Sequence, residues 1–104
     1  MERAPEPHDL LQIKFFVRFG ASRRLTNRAR YDVMALGYEV DDVVDCICDL
    51  TEADFHKSED SRDFPGRRLD VYLPDYLGKK IYVKLDLYDD YVLVVSFHRE
   101  GNPG

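Results

Sequence analysis

The chain has no tryptophan and only two cysteines, two methionines and six glycines in 104 residues. None of its apolar runs approaches the ~20 residues that a membrane-spanning helix needs. The stretch Met1 to Pro7 is polar and proline-containing, so no signal peptide is expected there. Cys46 and Cys48 are two apart, which on a helix sends them to different sides. An internal disulfide is therefore not expected, and reduced thiols in a cytoplasmic protein are. There is no phosphate-cradling P-loop, no dinucleotide glycine fingerprint and no Gly-x-Ser-x-Gly elbow. The three histidines, His8, His56 and His98, are scattered and show no paired metal-ligand spacing. No metal or other cofactor is expected, and hydrolases built on a bound metal or a covalent nucleophile are disfavoured.

What the chain does have is 44% hydrophobic and 34% charged residues, the balance of a globular protein. One small domain over residues 8–100 is expected, after a disordered lead-in at 1–7 and before a tail at 101–104. The net charge of −5 opposes a simple polyanion binder. Its distribution is more telling. Leu10 to Tyr31 holds six basic residues and no acidic one, whereas Asp32 to Asp60 holds ten acidic residues against Lys57 alone. A local positive surface can coexist with a negative total, although charge runs are ordinarily solvated helix faces.

Apolar periodicity predicts a first helix over Leu10–Phe19, capped by Asp9 and stopped by Gly20. Ala21 to Leu25 reads as a small edge strand. Thr26 or Asn27 then caps a second helix, which Gly37 ends. Val40, Val43, Val44, Ile47 and Leu50 mark a third. Thr51 and Asp54 resemble a capping box for one more turn, which leads into Phe55, His56, Lys57 and Ser58. Beyond the Pro65-Gly66 turn the period changes to two. Ile81, Val83, Leu85 and Leu87 alternate with Tyr82, Lys84, Asp86 and Tyr88, and Val92 to Phe97 is nearly all apolar. The expected fold class is α+β, with N-terminal helices packed on a C-terminal antiparallel sheet of three strands in a meander.

Tyr, Lys, His and Arg stand in these strands where a plain sheet would carry Thr, Ser or Glu. Metal-free ribonuclease chemistry needs a base for the ribose 2′-OH, an acid for the leaving 5′ oxygen, and cations for the charged phosphorane. A histidine such as His98 suits proton transfer as acid or base. Lys57 and the arginines suit phosphate, and Tyr82 suits proton donation or base stacking. Hairpin register decides whether they meet. A two-residue loop at Asp89-Asp90 pairs Tyr88 with Tyr91 and sends Tyr82 and His98 to opposite faces. A three-residue loop, Asp89 to Tyr91, sets Tyr82 opposite His98 and Lys84 opposite Ser96. The odd loop is expected, because it gathers the polar residues and leaves Leu93, Val95 and Phe97 for the core. Each residue also has a bland reading: Lys84 and Asp86 as solvent-face positions, Tyr72 and Tyr88 as packing, His56 as structural and His8 as tail.

Asp54-Phe55-His56-Lys57-Ser58, Pro65-Gly66, Asp70-Val71-Tyr72, Tyr82-Val83-Lys84 and Val95-Ser96-Phe97, in this order and spacing, resemble the MqsR family. These are bacterial type II toxins that act as mRNA interferases. The resemblance runs from Pro7-His8 to Arg99. It implies a RelE-like ribonuclease toxin fold, metal-independent and sequence-selective mRNA cleavage at GCU-type sites, and a cognate antitoxin. That antitoxin is implied to bind zinc and to carry a helix-turn-helix DNA-binding domain. The implied catalytic residues are Lys57, Tyr82 and His98; Arg67, Arg68, Lys84 and Arg99 are expected from their charge to bind RNA. Three positions depart from the family pattern: Arg68 and Leu69 stand where Trp and a polar residue are usual, and His98 replaces a lysine. The alternative class is a catalytically weak or inactive toxin-like module that binds an antitoxin or regulator.

Overall fold

The computed structural model describes residues 8–101. The expected lead-in at 1–7 and residues 102–104 of the tail lie outside the described residues. Three helices form in the expected places. Helix α1 (Leu10–Val17) is capped by Asp9, whose carboxylate accepts from the Leu11 and Gln12 amides. It stops before Phe19, and Gly20 opens a 3-10 turn, Gly20–Ser22, instead of serving as a left-handed stop. The reason lies in two side chains. Ser22 Oγ donates to the Phe16 carbonyl and Arg23 Nη1 to the Val17 carbonyl, each at 2.8 Å, so the last helical acceptors are satisfied without a glycine. Helix α2 (Asn27–Ala35) starts at Thr26, whose hydroxyl accepts from Ala29 N, and gives way to Gly37 at φ 75°. Helix α3 (Val40–Cys48) opens on a reciprocal Glu39/Asp42 capping box.

The sheet is larger than a three-strand meander. Its strands are β1 (Arg23–Leu25), β2 (Phe55–Asp60), β3 (Arg68–Tyr72), β4 (Asp75–Tyr76), β5 (Lys79–Leu87) and β6 (Val92–Arg99). They run in the order β1-β6-β5-β3-β2, with β4 attached to β5. The expected meander is present as β3, β5 and β6, all antiparallel. The short β1 forms one edge, parallel to β6. The other edge is β2, where Lys57 sits on a strand and not on a turn following the helices.

One face of this sheet receives the helices. Ile13 and Val17 of α1, Val33 of α2, Val43 and Ile47 of α3 and Leu50 just beyond it pack with Tyr72, Ile81, Val83, Leu85, Val92, Val94 and Phe97. Each such side chain contributes roughly 1.5–3 kcal/mol by leaving water. Cys46 is buried here as a free thiol, and burial pushes its pKa up to about 12, which makes it inert.

The β5–β6 hairpin corrects one expectation while reaching the same end. The loop is even: Leu87 pairs with Val92, and Tyr88 N donates to the Tyr91 carbonyl at 2.9 Å. The odd residue enters farther along. Leu85 pairs with Val94 but Lys84 pairs with Ser96, so Val95 is a bulge. Beyond it Tyr82 stands opposite His98, as the odd loop would have placed it. The bulge also reassigns the core. Val92, Val94 and Phe97 are fully buried, whereas Leu93 and Val95 are half-buried and do not join the core. Helix α2 pins the bulge. Thr26 Oγ1 donates to the Val95 carbonyl at 2.8 Å, and the buried Asp32 carboxylate accepts from Phe97 N at 3.0 Å.

Candidate active site

Directly paired residues in a sheet share a face, and alternate residues repeat it. Lys57 pairs with Val71, Val71 with Lys84, and Lys84 with Ser96. These residues form one row across β2, β3, β5 and β6 on the face turned away from the helices. Tyr82 and His98 form the next row on that face. Adjacent strands lie ~4.8 Å apart, so Lys57 stands about two strand spacings from Lys84 and three from the β6 residues. The structure therefore gathers Lys84, Tyr82 and His98 closely and leaves Lys57 at the margin.

The Tyr82 and His98 rings are stacked, with centroids 4.8 Å apart and planes 12° from parallel. Lys84 Nζ lies 5.7 Å from the Tyr82 ring centre, within cation–π range. His98 Nδ1 is 3.0 Å from the Arg99 carbonyl. A carbonyl can only accept, so this bond puts a proton on Nδ1 and leaves Nε2 as the nitrogen that exchanges protons in the neutral ring.

Glu59 links the two lysines. Its carboxylate lies 2.6 Å from Lys84 Nζ and 3.3 Å from Lys57 Nζ. The hydrogen bond from Lys84, ahead of burial, holds the Glu59 carboxyl below its usual range. Lys84 is the more enclosed cation, its side chain 19% exposed against 48% for Lys57. A carboxylate between two ammonium groups occupies the kind of position that suits an RNA phosphate. Glu59 was not among the sequence candidates. It alternates with Lys57 on an edge strand whose one apolar residue is Phe55, so no hydrophobic period marks it.

Three expected RNA-binding arginines sit elsewhere. Arg67 grips Asp86 through Nε at 3.0 Å and Nη2 at 2.8 Å, and also donates to the Leu87 carbonyl. Its guanidinium lies 4.0 Å over the Tyr88 ring. Arg68 Nη1 bonds Asp60 at 3.0 Å. Arg99 pairs with core-facing Ile81 and so stands on the other face from His98, exposed. His8 is not loose tail. Its Nε2 lies 2.9 Å from the Arg68 carbonyl and 3.5 Å from Asp86, and its amide donates to buried Asp70. His56 is exposed.

A family model described as motility quorum-sensing regulator, toxin of MqsA, matches residues 6–99. This chain belongs to the MqsR toxin family. It is also 33% identical over 97 residues to the mRNA interferase toxin MqsR of Escherichia coli strain K12, a match covering 93% of this chain and 97% of that protein. Helices on one side of a mixed sheet, with the polar row on the other, agree with a RelE-like toxin fold.

Proposed function

We propose that this chain is the endoribonuclease toxin of a type II toxin–antitoxin pair and cuts mRNA by attack of a ribose 2′-OH on the adjacent phosphate. The observation that carries the mechanism is the stacked Tyr82–His98 pair beside Lys84. His98 Nε2 takes the 2′-OH proton, and in its protonated form returns one to the leaving 5′ oxygen. Lys84 stabilises the charge that grows on the phosphorane, and Lys57 holds the phosphate from the margin of the row. Tyr82 keeps the imidazole plane fixed and stabilises its cationic form through the ring face. Arg99 stands on the other face from the row, and Arg67 and Arg68 are committed to Asp86 and Asp60.

Neither proton transfer nor charge stabilisation in this scheme calls on a metal. The partner is a cognate antitoxin, with a zinc-binding domain and a helix-turn-helix domain, and the pair works in the cytoplasm. Purified protein incubated with a defined mRNA in EDTA tests the reading. Cleavage that persists, and is lost in His98→Ala and Lys84→Ala, is the expected result. One observation favours a second reading, a toxin-like module that binds without cutting: Glu59 occupies both lysines. RNA left intact at high protein concentration, with antitoxin still bound, would select it.

A further inference from the structure

The polar row does not end at Lys84. A cleft of about 670 Å³ opens from it toward the hairpin, bordered by Thr26 and Arg28 at the start of α2. That size is within the ~300–1,000 Å³ of sites that hold small organic ligands. Its floor carries the apolar side chains of Leu69, Leu93 and Val95. Two of these are available because of the β6 arrangement: Leu93 is turned out of the core, and the bulge adds Val95 beside Ser96. The segment 61–64 forms another wall and brings Phe64 to the cleft.

Phe64 is 62% exposed and belongs to no core cluster. Its backbone is nevertheless held. Phe64 N donates to Ser61 Oγ at 3.2 Å, and its carbonyl accepts from Arg67 N at 3.1 Å. Arg67 is in turn fixed on Asp86. An anchored backbone thus presents a bare aromatic ring at a cleft that reaches Lys84 and also carries Arg28 and Arg62, among the carboxylates of Glu59, Asp60, Asp63 and Asp86. Single-stranded nucleic acid is recognised by this combination, a ring face for a base beside charge for its phosphate.

We propose that this cleft receives an unstacked RNA base adjoining the phosphate held at Lys84, with Phe64 as its stacking platform. The inference rests on the cleavage reading for its substrate class and adds a specificity-determining residue outside the catalytic row. Base stacking on an aromatic side chain is lost on truncation to alanine, so Phe64→Ala should raise KM on the order of tenfold. The kcat should change by less than about twofold, because the proton-transfer groups are untouched. Cleavage positions mapped on a long mRNA should broaden.

The absence of tryptophan supplies a direct probe. Phe64→Trp introduces a lone tryptophan, excited selectively over the tyrosines at long wavelength, and retains a stacking face. Uncleavable 2′-O-methyl RNA hexamers should quench it saturably, and an abasic hexamer of equal charge should not. Equal responses to the two hexamers, no quenching by either, or quenching by antitoxin alone would overturn the proposal. So would unchanged KM and cleavage positions in Phe64→Ala. If the native protein cuts no RNA, the cleavage reading fails, and the hexamer titration still decides whether the cleft binds a base.

Discussion

The two ends of the β5–β6 ribbon carry similar side chains in opposite states. At the hairpin end, Arg24 lies over Tyr91, Tyr91 stacks on Tyr88, and Arg67 covers Tyr88 while gripping Asp86. Tyr88 is stacked between Tyr91 and Arg67, and the Arg67 guanidinium is committed to Asp86 and the Leu87 carbonyl. At the far end, Tyr82 stacks on His98 beside Lys84, and the imidazole keeps Nε2 uncommitted by the Arg99 carbonyl. Cationic and aromatic groups on one ribbon thus hold shape at one end and, in the proposed mechanism, transfer protons at the other. Residue type does not separate the two uses; the presence of a buried carboxylate partner does. Asp86 is 2% exposed and fixes Arg67, whereas Glu59 approaches Lys84 from an edge strand, partly open to water.

Substitutions at each end should separate activity from stability. His98→Ala should lower kcat by roughly 10²–10⁴-fold, the usual contribution of a positioned proton-transfer group, with the melting temperature nearly unchanged. Single-turnover cleavage of a defined RNA checks this. Arg67→Ala should do the reverse. Leaving Asp86 buried without its guanidinium should cost about 3 kcal/mol, read from urea unfolding, with kcat near native at a temperature where the variant is folded.

Between the ends lies the bulge, and Asp32→Asn should loosen it. The substitution weakens a charge-assisted bond to Phe97 N and the pairing with Arg28, 3.1 Å away, at a cost of about 1.5–3 kcal/mol. Faster hydrogen exchange at the Phe97 amide, localised to mid-β6, is the expected signature.

The gentlest probe is Glu59. Its folded pKa lies below the ordinary 4.5, so its contribution is fully present above that value and is lost as pH falls through the depressed one. Glu59→Gln should remove that part of the acid-induced loss of stability. It should also free Lys57 and Lys84, and so lower the Kd for uncleavable 2′-O-methyl RNA severalfold, as seen by fluorescence anisotropy at fixed salt.

Much of this contrast could be read before the fold was known. The capping residues Asp9, Thr26 and Thr51 and the alternation through β5 follow from local pattern. The hairpin was right at its far end for the wrong reason, because a bulge in an apolar run leaves no compositional mark and is fixed by Thr26 and Asp32 from another element. Strand β2 escaped notice because its Ser58 meets Asp70 through a hydrogen bond, not through apolar contact. Asp86 and His8 looked like solvent and tail. Their burial depends on partners far away in sequence, which periodicity cannot report. The same holds for the cation assignments: Arg67 and Lys84 look equally available in sequence, and only the surrounding carboxylates distinguish them.

The most direct test compares His98→Ala with Arg67→Ala on one mRNA in EDTA, each at a temperature where circular dichroism shows it folded. Native protein should cut, Arg67→Ala should cut at a rate within about threefold of native, and His98→Ala should fall at least about 100-fold. A His98→Ala protein that cleaves like native, or an Arg67→Ala protein that is folded and inactive, would contradict the division of the ribbon into a structural end and a reactive end.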